Sequence, residues 1–224
     1  MPGLRRALRE GRDVAGLVEQ IRSIEACLAA VPPGSVTEAG LLRYLAEAKL
    51  AAGQFSAAVE TAVRAVDSAL ALPGKLVRRR IDAWTTLGHA QSLSAVSGKP
   101  DVVPYEEALR LCRSEALSRS LASIRLNRLV CRELSAGGDF EAARERLEGQ
   151  LVRTGSGTRK ARRETLRLET ELAIIAFRRA QVDVAIATLE EIAQRQERLL
   201  SALHANVPGC TFARRARNAR KWDI

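Results

Sequence analysis

One phrase occurs twice in this chain. Leu50–Ala62 reads LAAGQFSAAVETA, and Ser135–Leu147 reads SAGGDFEAARERL. A helical hairpin cannot bury its apolar face alone, so a chain that restates one is confined to architectures in which copies stack. Phe55 and Phe140 anchor the two copies, each after a small-residue turn and each three residues before an alanine, Ala58 or Ala143. Tyr105 with Ala108 repeats that spacing, and Val182 with Ala185 repeats it more weakly. Four residues further, Ala62, Cys112, Leu147 and Leu189 continue one apolar stripe at helical period. A bulky anchor is expected to wedge into the preceding turn, and the alanine one turn later admits a partner helix.

The segment ahead of each anchor also reads as helix. Trp84, Leu87 and Gly88 stand in the order W-x-x-L-G before the Tyr105 and Ala108 pair. Leu42, Leu45 and Ala46 precede Gly53 and Phe55 in the first unit, and Asn127, Val130 and Cys131 precede Gly138 and Phe140 in the third. The fourth offers Leu172 and Ala173 before Val182. This pattern resembles the tetratricopeptide repeat, a helix-turn-helix unit of about 34 residues, over residues 37–200. The resemblance implies an all-α, right-handed TPR-like solenoid of about four helix-turn-helix units. Anchor spacings differ between units, so insertions are expected at 95–104 and 154–162. Val18, Ile21, Ile24 and Leu28 overlay the second helix of the first unit, so residues 14–31 are expected to be an extra N-terminal helix. Asp13 is its candidate N-cap, and Pro32-Pro33-Gly34 its stop. The expected organisation is a capping half-repeat over 1–36, a repeat domain over 37–203 and a basic tail over 204–224.

Composition agrees with helices throughout. Alanine, leucine, arginine and glutamate dominate, aromatic residues are 4%, and alternating β-branched runs are missing. No apolar run reaches the roughly 20 residues that span a bilayer, and the expectation is a cytoplasmic protein. The four cysteines, Cys27, Cys112, Cys131 and Cys210, show no C-x-x-C spacing, and only two histidines accompany them. No zinc site is expected. Cys27, Cys112 and Cys131 fall on the apolar faces of the expected helices and read as reduced core residues. His89 has no serine or cysteine nucleophile pattern near it, and TGSGT at 154–158 lacks the phosphate-loop signature. Neither catalysis nor a cofactor is expected.

The net charge is +10, and it is concentrated in two places. One is the stretch 153–167, with Arg153, Arg159, Lys160, Arg162, Arg163 and Arg167 against Glu164. The other is the tail, where Arg214, Arg215, Arg217, Arg220 and Lys221 are interleaved with Phe212 and Trp222. In SIRLNRLVCRELSA, Arg125, Arg128 and Arg132 share one helical face at i, i+3 and i+7. In the family resembled, first helices line the concave surface and hold ligand peptides. That layout implies a groove of Arg43, Glu47, Asp82, Thr85, His89, Arg125, Arg128, Arg132, Arg167 and Arg178. Guanidinium forks suit carboxylates or phosphates, although the same arginines could form a solvated face paired with glutamates on their own helices.

The functional expectation is a non-catalytic scaffold that binds a protein or peptide partner, an acidic or extended segment, in this basic groove. The alternative is a nucleic-acid-associated helical-repeat protein, with Arg159, Lys160, Arg162, Arg163 and the tail cations on phosphates. The oligomeric state is left open by the sequence.

Overall fold

In the computed structural model, the structure describes residues 14–94, 101–115, 117, 120–154 and 159–205. Asp13, and the tail from residue 206 onward, lie outside the described residues. Among those described, the chain forms nine α-helices and no strand. They are α1 (Val14–Ala29), α2 (Val36–Ala51), α3 (Phe55–Ala71), α4 (Val77–Ser94), α5 (Val103–Ser114), α6 (Leu121–Ala136), α7 (Phe140–Thr154), α8 (Arg159–Arg178) and α9 (Val182–Ala205). Each helix packs on the next, and α2 also meets α4 while α6 meets α8. The pairs α2–α3, α4–α5, α6–α7 and α8–α9 are the four hairpins, and α1 packs on α2 through Ile21, Ile24, Leu28, Leu45 and Ala48.

The turns repeat as the sequence does. In the first unit Gln54 N–H donates to the Lys49 carbonyl at 2.9 Å. Asp139 N–H to Leu134 and Gln181 N–H to Ala176 repeat that bond at the same 2.9 Å. This six-residue closure needs a left-handed residue in its middle. Gly53 (φ +74) and Gly138 (φ +86) supply it, while in the fourth unit Ala180 does so at φ +60. Helix starts are fixed by side chains where turns are absent. Ser35 Oγ accepts from Glu38 N–H, and Ser120 Oγ accepts from Ser123 N–H.

The core is a chain of clusters, each shared by three successive helices. Ala46, Ala58, Ala62, Leu87 and Ala90 join α2, α3 and α4. Ile81, Tyr105, Leu109, Cys112 and Val130 join α4, α5 and α6. Ile124, Cys131, Ala143, Leu147, Leu168 and Ile175 join α6, α7 and α8. The register constant is the alanine: Ala58, Ala108, Ala143 and Ala185 are all fully or almost fully buried. The wedge expected of the anchors is corrected. Tyr105 alone is fully buried, Phe140 is half-buried, and Phe55 and Val182 are exposed. Phe55, Phe140 and Val182 are the first residues of their helices and project back over the preceding turn, whereas Tyr105 is the third residue of α5 and points into the cluster. There the Tyr105 ring lies against Gly88, where an added Cβ would stand 2.5 Å from Cε1.

Cys112 and Cys131 are core residues as expected, and burial pushes both thiols up, Cys131 to about 12. Cys27 is not: it is exposed, because α1 has a partner helix on one side only and Cys27 lies off the Ile21–Ile24–Leu28 stripe.

Candidate functional site

The first helices of the hairpins, α2, α4, α6 and α8, build one face, and the arginines expected to form a groove sort into two groups on it. On α2, Arg43 is held by Glu47, its neighbour one turn on, and lies over the Tyr44 ring with its guanidinium carbon 4.2 Å from the centroid. On α4, His89 is half-buried and meets the Tyr105 ring edge-on at 5.8 Å, while Asp82 and Thr85 are half-buried nearby. Thr85 donates its hydroxyl proton to the Ile81 carbonyl.

The second group is where α6 and α8 bring charges together. Arg125 Nε donates to Glu164 Oε1 at 3.1 Å, and Arg167 Nη1 donates to the same oxygen at 2.6 Å. Glu164 is almost fully buried beneath them. One turn along, Arg128 Nη1 donates to Glu171 Oε1 at 3.2 Å. Arg132 Nε stands 4.0 Å from that oxygen, at the limit of an ion pair. Arg178 donates to the neutral Ser135 hydroxyl at 2.9 Å. The arginine face of α6 is therefore crossed by a ladder to the next first helix, where the sequence suggested pairing within one helix. Glu164 and Glu171 are the residues that sequence reasoning missed. Their spacing of seven, facing arginines spaced three and seven, was the available signal.

Two guanidiniums keep charge to spare, Arg132 and Arg178, and both line the same cavity of about 500 Å³. Ile174, Ile175 and Cys131 also line it, together with the carboxylates Glu133 and Glu171. Ser92 of α4 lines it as well, and its hydroxyl donates to Glu133 Oε1 at 2.8 Å and so ties α4 to α6. Glu133 is thereby occupied by a neutral donor, and Glu171 is shared with Arg128. Arg132 is 56% exposed, which leaves its guanidinium free to turn toward a ligand. Arg43, Glu47 and His89 do not line this cavity. Arg163 is exposed at the start of α8. Arg159, Lys160 and Arg162 have side chains outside those described, as do Arg214, Arg215, Arg217, Arg220 and Lys221.

Among the described residues no group of three or more histidines, cysteines or carboxylates stands where it could hold a metal ion. No described helix is long and apolar enough to cross a membrane.

The architecture is that of a helical-repeat protein, and comparison with solved structures gives it a more specific form. Two structures of the nearly identical TPR-like repeats of a Podosopora anserina putative kinesin light chain are similar to this chain. One of them, a variant with a single glutamine-to-methionine substitution, has a TM-score of 0.72 at 19% identity, over 88% of this chain and 93% of that one. The other has a TM-score of 0.70 at 20% identity, over 87% and 92%. The chain has a TPR-like repeat fold. No protein-family model matches the sequence, and no curated protein does.

Proposed function

We propose that the chain is a non-catalytic protein-interaction scaffold, and that it holds an acidic, extended segment of a partner protein along α6 and α8. The fold favours this reading, since a stacked-hairpin face offers a long surface and no enclosed reaction chamber. The observation that carries it is the pairing state of the arginines. Of the five on this face, Arg125, Arg128 and Arg167 are committed to Glu164 and Glu171, whereas Arg132 and Arg178 line a cavity beside the apolar side chains of Ile174 and Ile175. A carboxylate carried on an apolar stem matches both features, because charge-assisted bonds from two guanidiniums are stronger than the serine bond that Arg178 would exchange for one.

The test is fluorescence anisotropy with labelled glutamate-rich and leucine-containing peptides against the wild-type chain and an Arg132→Ala/Arg178→Ala variant. The expected result is a loss of binding of at least tenfold in the variant, about 1.4 kcal/mol, with unchanged helical circular dichroism. Equal affinity in both proteins would remove the cavity from the proposal. Arg128→Ala is the poorer probe, since it strips Glu171 of its partner.

The concentration of charge in 153–167 and 207–221 favours the second reading, contact with nucleic acid. Counterion release makes such binding fall on the order of a thousandfold between about 50 and 200 mM salt when six or more phosphates are contacted. Peptide capture by two guanidiniums beside apolar side chains falls far less. Anisotropy with mixed-sequence RNA and DNA at the two salt concentrations therefore separates the readings, and a chain cut after Pro208 locates the contribution of the tail.

A further inference from the structure

Among the described residues, the stripe of second-helix residues that builds the core is left open at one end. Seven residues after each anchor stand Ala62, Cys112, Leu147 and Leu189. The first three have no exposed surface, because the first helix of the following unit covers them, and Leu189 is 41% exposed. Ile186, four residues after its anchor, is 50% exposed, where its counterpart Leu109 is buried in the second unit. Val182 and Ala193 extend the same face of α9. On α8, Phe177 holds the position that Leu50 holds in α2. Leu50 packs against the first cluster, and Phe177 is 60% exposed. Phe177, Val182, Ile186, Leu189 and Ala193 together present on the order of 400 Å² of apolar surface, as large as the main patch on many monomers.

We infer that this face is closed by the same face of a second copy, giving a two-fold dimer in which α9 packs against its symmetry mate near Leu189. Two observations favour that occupant. A head-to-tail stack would bring the patch against α1, whose described exposed residues are charged or small, Ala15, Glu19, Arg22, Ser23, Ala26 and Cys27 among them, with no large apolar side chain to meet Leu189 or Phe177. The area suits a dimer: at about 60% apolar, a patch of this size corresponds to roughly 1,300 Å² of total interface, within the range of stable complexes. A two-fold contact also matches apolar with apolar by construction, since one stripe meets itself.

Light scattering on the full chain, at roughly 100 µM and high salt where arginine contacts are screened, reads the result. The expected mass is twice the 24.4 kDa of one chain. Leu189→Glu and Ile186→Glu, both at exposed positions that a monomer tolerates, should each return the mass to that of one chain with helical circular dichroism unchanged. A monomeric wild-type chain overturns the inference, as does a dimer that both variants leave intact. A full chain that is monomeric beside a dimeric chain cut after Pro208 also overturns it, and assigns the cover to the chain's own tail. None of these outcomes depends on Arg132 or Arg178.

Discussion

Ala180 carries a backbone conformation that the first and third units leave to glycine. At φ +60 it closes the fourth hairpin with the same hydrogen bonds as Gly53 and Gly138, and a Cβ in that region meets the neighbouring carbonyl. The strain is local and separable from packing, because Ala180 itself is exposed. Ala180→Gly relieves the steric cost and gives back some of it through the freer unfolded chain. The expected net effect is a stabilisation of about 0.5–1 kcal/mol, read as a higher urea midpoint at constant slope. A lower midpoint would mean that the alanine methyl supports the turn in some other way. Glycine's role at Gly53 and Gly138 is legible from their place before each anchor. The exception at Ala180 is not, because nothing in Ala-Gln-Val announces a left-handed residue.

At the scale of a helix pair, the α4–α5 contact rests on a single missing carbon. Gly88 lies in the middle of α4, where glycine costs about 1 kcal/mol relative to alanine. An alanine there would set its Cβ 2.5–2.9 Å from three atoms of the Tyr105 ring. That ring is fully buried and has no room to retreat. Gly88→Ala should therefore destabilise by about 1–3 kcal/mol despite its better helix propensity. Tyr105→Leu on the same background should recover much of the loss, while costing stability in the wild-type chain. The check is a double-mutant cycle by thermal or urea unfolding; additive effects would show that the two residues do not share the space. The W-x-x-L-G order together with the tyrosine makes this element readable in advance. The same logic fails at the anchors Phe55 and Val182. Those two open their helices, whereas Tyr105 is the third residue of α5, and where each helix starts relative to its anchor is not written in the anchor–alanine spacing. The ladder from α6 to α8 escapes as well. Arg125, Arg128 and Arg132 are visible as a face, but Glu164 and Glu171 lie some forty residues away, and only the packing of the two helices makes them partners.

For the whole molecule, stability is shared between the units themselves and the interfaces between them, so the polar contacts that bridge units bear on cooperativity. One of these joins the second and third hairpins. Arg146 of α7 donates to both oxygens of Glu106 on α5, and through Nε to Asn127 Oδ1 on α6 at 2.9 Å; Asn127 in turn donates to Gln150 at 3.1 Å. The clamp adds polar contacts to an interface that the Tyr105, Cys112 and Val130 cluster also joins. The Arg146 and Glu106 side chains are 27% and 36% exposed, which screens the pair and limits its net worth. Arg146→Ala leaves Glu106 and Asn127 with unpaired acceptors and should cost about 1–2 kcal/mol. The more telling readout is the slope of the urea transition. If the clamp couples the two halves, its loss lets them unfold less than fully together, and the apparent slope falls along with the midpoint. Glu106→Gln, which keeps a neutral acceptor for the guanidinium, should lie between the wild type and Arg146→Ala in both respects. A lowered midpoint with an unchanged slope in both variants would show that the clamp adds stability without joining the units, and that cooperativity between the two hairpins runs through the Tyr105, Cys112 and Val130 cluster alone.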